Sequence, residues 1–105
     1  MWNQDKVKEV IQSDKVVIFG KGSRFEPMCG FTAKAIRIMD QYLADYTVVN
    51  IFDDENIRPS LVAVSGWPTT PQLFINGELI GGSDIMEELA KTGELKNKLT
   101  AAQAL

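Results

Sequence analysis

The 105-residue chain is long enough for one compact domain with a modest core, and 45% hydrophobic and 24% charged residues suit a globular protein. A formal charge of −3 gives no basic field for nucleic acid or anionic lipid, and no apolar run reaches membrane-spanning length. One cysteine and no histidine exclude an internal disulfide, Cys–His nucleophilic catalysis and a self-contained zinc or iron–sulfur site.

The N-terminal stretch MWNQDKVKEVIQSDK is mixed in charge, without the basic-then-apolar layout of a secretory signal. A lone thiol suits a reducing compartment. The expectation is a cytoplasmic protein; a mature organellar form would read the same way.

Val7, Val10 and Ile11 recur at helical spacing, predicting a helix over residues 2–12. KVVIFG (15–20) is a continuous β-branched apolar run ending at glycine, which predicts a buried strand. KGSRFEP breaks that pattern as a loop. Ile36, Met39 and Leu43 then predict a helix over 30–44, and YTVVNIF (46–52) a second strand. DDEN offers capping carboxylates for a third helix, with Pro59 in its first turn and its end near Ser65-Gly66. QLFINGELIGG predicts a hairpin about Asn76-Gly77 with a type I′ turn. Ser83 or Asp84 is expected to cap a last helix, broken at Gly93, and residues 100–105 to form a loose helix end. The order α-β-α-β-α-β-β-α predicts an α/β protein with a four-stranded mixed sheet flanked by helices on both faces. This is the thioredoxin-like fold, although element order alone leaves other α/β folds open.

An unpaired cysteine is most often a small buried hydrophobe. Cys29 has a different setting, in PMCGFTAK, directly before a predicted helix. Backbone N–H groups and the positive end of a helix dipole stabilise a thiolate there. Pro27 restricts the loop, Gly30 leaves room beside the sulfur, and Lys21 and Lys34 are expected to add positive potential. A thiolate so placed either exchanges with an external thiol or ligates a metal centre shared with other thiols.

KGSRFEPMCGFT, IRPSLVAVSGWPTTPQLFINGELIGG and the following SD, in this order, resemble a single-domain monothiol glutaredoxin from about Lys6 to Leu99. The chain departs from the family pattern at Thr32, where serine is usual, and at Thr70, where a bulkier apolar residue is common. The resemblance implies that Pro71 is cis and faces Cys29, with Thr70 pairing strand-like with the cysteinyl part of glutathione. It implies that Lys21 and Arg58 take the glycyl carboxylate, and that Gly82, Ser83 and Asp84 hold the γ-glutamyl end. Arginine suits such a role because its planar fork binds carboxylates bidentately. Phe31, Thr32, Gly30 and Trp67 would shape the site.

The implied function is carriage of a [2Fe-2S] cluster, bridged by two subunits through Cys29 and glutathione, with delivery to apo iron–sulfur proteins and a part in iron homeostasis. BolA-type proteins are the implied further partner, and neither nucleic acid nor membrane is expected. The alternative is a glutathione-dependent thiol-disulfide oxidoreductase. The long segment between Lys21 and Cys29 resembles the cluster-carrying subgroup, in which such activity is weak. A purely regulatory adaptor for BolA-type proteins is the third reading.

Overall fold

A computed structural model describes residues 1–105. Strand β1 (Val16–Gly20) lies parallel to β2 (Thr47–Asn50) and antiparallel to β3 (Gln72–Ile75), which pairs antiparallel with β4 (Glu78–Gly81). The sheet order is β2-β1-β3-β4. Helices α1 (Gln4–Ser13) and α3 (Ile57–Ser65) cover one face; α2 (Gly30–Asp40), α4 (Ser83–Thr92) and α5 (Glu94–Ala101) cover the other. The architecture is the expected thioredoxin-like one.

Strand alternation divides the core. Val16, Ile18, Leu73 and Ile75 face Ala35, Met39, Met86, Leu95 and Leu99. Val17, Phe19 and Phe74 face Val7 and Ile11 of α1 and Ile57 and Leu61 of α3. Phe19 stands edge-on to Phe74 at 5.8 Å and to Trp2 at 6.4 Å, so Trp2 extends this second layer. Each such side chain, taken fully out of water, contributes about 1.5–3 kcal/mol. Because β1 is covered on both faces, it reads in the sequence as an unbroken apolar run.

Element ends follow local chemistry. Asn3 accepts the Lys6 N–H at 2.8 Å and caps α1. Pro59 occupies the first turn of α3, where its missing N–H has no intrahelical partner to lose. Asp54 does not cap that helix; it accepts the N–H of Asn56 at 2.8 Å in the turn leading in. Asn76 (φ 52°) and Gly77 (φ 81°) both adopt positive φ, as the predicted hairpin turn requires. Leu73 and Phe74 shift register against β4, a bulge that periodicity did not announce.

Two expectations are corrected. The second helix stops at Asp40, not residue 44; Leu43 still packs on the core from the turn that follows. The second strand ends at Asn50, whose side chain accepts the Phe52 N–H at 2.9 Å and starts a 3-10 turn over Ile51–Asp53. At the C-terminus the chain closes α5 with hydrogen bonds from residues 103 and 104. Gln103 adopts φ 59°, its N–H reaches Thr100 O at 3.0 Å, and Ala104 N–H reaches Leu99 O at 2.9 Å. That Schellman closure is reinforced by Lys15 Nζ, which donates to Gln103 O at 2.9 Å.

Candidate functional site

The segment before Cys29 is the expected loop, folded on itself by backbone hydrogen bonds. Met28 N–H donates to Lys21 O at 2.9 Å, Gly22 and Pro27 form a β-bridge, and Ser23 N–H reaches Glu26 O at 3.2 Å. The chain thus turns back on itself and returns Cys29 beside Lys21. Two side chains fasten this turn from outside. Asn50 Oδ1 accepts the Gly22 N–H at 3.0 Å. Arg24, only 16% exposed, donates to Asp40 Oδ1 at 3.0 Å and Ala44 O at 2.9 Å, and stacks 4.3 Å from the Tyr46 ring. Tyr46 Oη donates to the same Asp40 oxygen at 2.6 Å. Burial and that hydrogen bond both push the Tyr46 hydroxyl far above its ordinary range, so it stays protonated.

Cys29 is the N-cap of α2, with extended backbone and a partly exposed sulfur. Its thiol is held below the ordinary thiol range. The Thr32 N–H is the largest cause; desolvation opposes it, and the Phe31 N–H, the Lys21 ammonium and the Thr32 hydroxyl add to the lowering. Of the two lysines expected to act on the sulfur, only Lys21 does so. Lys34 turns away to α4, where Nζ lies 3.1 Å from Asp84 Oδ1 and 3.2 Å from Glu87 Oε1. Thr32 is fully buried and its Oγ1 accepts the Lys21 N–H at 3.1 Å, joining the first turn of α2 to the end of β1.

A cleft of about 370 Å³ brings most of the expected residues together: Lys21, Phe31, Arg58, Trp67, Thr70, Pro71, Gly82, Ser83 and Asp84 line it, with Thr69 and Ile85. Cys29, Gly30 and Thr32 adjoin it at the start of α2 through Phe31, which is 60% exposed. A Cβ on Gly30 would meet nothing within 4 Å, so space beside the sulfur is open. The Thr70–Pro71 bond is cis. Lys21 and Arg58 supply cations, and Arg58 Nη2 also reaches Pro68 O at 3.4 Å. The acidic lining residue, Asp84, stands in the first turn of α4. Neither Ser83 nor Asp84 caps that helix: the N-cap is Gly82, which has no side chain to satisfy the first-turn N–H groups. Those donors remain free for a ligand anion. Gly82 also lies close beneath Pro71, where a Cβ would sit 3.3 Å from the carbonyl oxygen.

One fully buried side chain organises the cleft wall. Gln72 Nε2 donates to Trp67 O at 2.8 Å and to Thr69 O at 3.0 Å, fixing the turn that carries Thr69 and Thr70 into the cleft.

A glutaredoxin family model matches residues 16–80. The monothiol glutaredoxin ycf64 of Porphyra purpurea is 46% identical over 90 residues, covering 86% of this chain and 84% of that protein. The chain belongs to the monothiol glutaredoxins. The chloroplastic monothiol glutaredoxin-S14 of Arabidopsis thaliana is 42% identical, and the match spans 94% of this chain but 57% of that longer protein. Among solved structures, reduced poplar apo GrxS14 superposes with a TM-score of 0.83 at 39% identity, over 97% of this chain and 94% of that one. A buckwheat glutaredoxin–glutathione complex gives 0.85 at 28%, over 97% and 91%.

Within this glutaredoxin, Arg24, Asn50, Thr69, Gln72 and Ile85 are the site-building residues that sequence reasoning did not select. Gln72 had a signal: a carboxamide heading the apolar run QLFI must be buried and therefore bonded. Arg24 and Asn50 had none, because their partners lie 16 and 28 positions away. No helix is long and apolar enough to cross a membrane.

Proposed function

We propose that this monothiol glutaredoxin binds glutathione in the cleft and, as a dimer, carries a [2Fe-2S] cluster to apo iron–sulfur proteins. The observation that carries the reading is a low-range thiol beside a cleft with separated charges. Lys21 and Arg58 offer cations, while the uncapped N-terminus of α4 and Asp84 offer donors and a carboxylate. That layout complements a tripeptide with a carboxylate at one end and an amino-acid zwitterion at the other. Lys21 and Arg58 take the glycyl carboxylate; Gly82 and Ser83 N–H groups take the γ-glutamyl carboxylate, and Asp84 its ammonium. Thr70 aligns the middle of the peptide so that its thiol lies near Cys29.

One chain contains no group of three His, Cys, Asp or Glu side chains able to hold a metal ion. Two Cys29 thiolates and two glutathione thiolates would supply the four sulfur ligands such a cluster takes. Half of those ligands would be exchangeable glutathione, which suits transfer of the cluster as cargo, a part in iron homeostasis, and a BolA-type protein as a further partner. The free thiol suits a reducing setting, the cytoplasm or an organelle interior.

The lowered, partly exposed thiol also favours a second reading, deglutathionylation. The Cys29 thiolate attacks the glutathione sulfur of a mixed disulfide, forming Cys29–S–S–glutathione and releasing the substrate thiolate. A second glutathione thiolate attacks that disulfide, releasing oxidised glutathione and restoring Cys29.

Calorimetric titration with glutathione tests the cleft. Arg58→Gln and Asp84→Asn should each weaken binding by about ten-fold, the loss of one charged hydrogen bond. Unchanged affinity in both sinks the placement. Rapid reduction of glutathionylated substrates by a protein that never takes up a cluster selects the second reading.

A further inference from the structure

The Lys34 side chain is 24% exposed, and its ammonium bridges from α2 to α4, shared by Asp84 at 3.1 Å and Glu87 at 3.2 Å. Neither Lys34 nor Glu87 lines the cleft, whereas Asp84 does. Asp84 is 85% exposed, so one carboxylate oxygen holds Lys34 while the group stays open towards the cleft. The hydrogen bonds to Asp84 and Glu87 hold the Lys34 ammonium above its usual range, so it is charged throughout the neutral pH range.

We propose that Lys34 is a specificity-setting internal cation: it pre-occupies Asp84 and so weakens the preference of the cleft for ligands bearing an α-ammonium. The inference rests on the glutathione reading above. A ligand ammonium arriving at Asp84 meets a carboxylate already partnered, and Glu87 decides how firmly Lys34 is retained there. With Lys34 neutralised, Asp84 faces the ligand with no internal counter-charge, and Glu87 adds negative potential from one helical turn behind it. With Glu87 neutralised, Lys34 rests on Asp84 alone and competes harder.

The test compares dissociation constants of reduced glutathione and of glutaryl-cysteinylglycine, the same tripeptide without its amino group, by calorimetry. Relative to wild type, Lys34→Gln should raise the preference for glutathione about three-fold, the scale of a partly exposed ion pair. Glu87→Gln should lower it about two-fold, and Lys34→Arg should leave it near the wild-type value. An ion pair that served only to join α2 to α4 would change stability and leave this ratio fixed. Any pattern other than a rise in Lys34→Gln with a fall in Glu87→Gln overturns the proposal. Wild-type protein that binds neither tripeptide overturns the glutathione reading and this inference with it.

Discussion

A Cβ placed on Gly20 would lie 2.6 Å from Cγ2 of Thr32, so the Thr32 methyl fills space that only a glycine leaves open. The same side chain accepts the Lys21 N–H at 3.1 Å. The methyl that distinguishes threonine from the usual serine is thus packing against β1, and its hydroxyl fixes the residue that acts on the sulfur.

Gly20→Ala should therefore cost about 1–3 kcal/mol by overpacking. Thr32→Ser alone should cost about 1 kcal/mol for one buried methyl group. In the double variant part of the Gly20→Ala cost should be recovered, since the nearest clashing atom is gone. Urea unfolding of the four proteins measures the coupling; strictly additive costs would contradict the contact.

The lowered Cys29 thiol links pH to stability. Its folded-state pKa is below that of the unfolded chain, so the thiolate stabilises the fold above the ordinary thiol range. That contribution is lost as pH falls through the folded value. The stability of the wild type relative to Cys29→Ser should accordingly increase with pH across this window. The pH midpoint of iodoacetamide alkylation should lie below that of a free thiol. Lys21→Gln should raise it only in part, because the Thr32 N–H is the larger cause. A midpoint at the free-thiol value would refute the account.

Arg24 and Tyr46 meet on Asp40 and hold the turn that precedes Cys29. Burial is the largest single influence on Arg24 and works against its charge, but hydrogen bonding and electrostatic attraction from Asp40 and Tyr46 together outweigh it and keep the guanidinium above its ordinary range. Arg24→Leu should destabilise by about 1–2 kcal/mol and speed proteolytic cleavage within residues 21–29. Tyr46→Phe should be non-additive with it, because both bond one carboxylate. Unchanged cleavage would show that the turn holds without this clamp.

Gln72→Leu removes the buried donor shared by the Trp67 and Thr69 carbonyls. The expected loss is about 1–3 kcal/mol, with weaker glutathione binding as the Thr69–Thr70 turn relaxes. Thermal unfolding and calorimetry together check this; a variant as stable as wild type would mean that other groups fix the turn.

What the sequence revealed follows from how local each cause is. β1 was legible because a doubly covered strand must be apolar throughout, and the Asn76-Gly77 turn because positive φ selects those residues. Apolar spacing reported burial rather than helix continuity, which is why Leu43 suggested a helix that had already ended at Asp40. Asn50 ended a strand early through a side-chain hydrogen bond that no hydrophobic pattern encodes. Most of the cleft lining was legible through ordered motifs, Thr69 and Ile85 excepted. The Lys34 pairing was not, since a lysine on α2 says nothing about α4 until the two helices are packed together.

The central claim is that Cys29 holds a transferable cluster only together with glutathione and a second subunit. Anaerobic reconstitution with iron and sulfide, run with and without glutathione and with no other thiol, tests it most directly through visible absorption and mass by light scattering. The account predicts a coloured dimer with one cluster and two glutathiones per two chains. It forms only when glutathione is present and is lost in Cys29→Ser. Equal loading without glutathione, or a protein that stays a colourless monomer throughout, would contradict it.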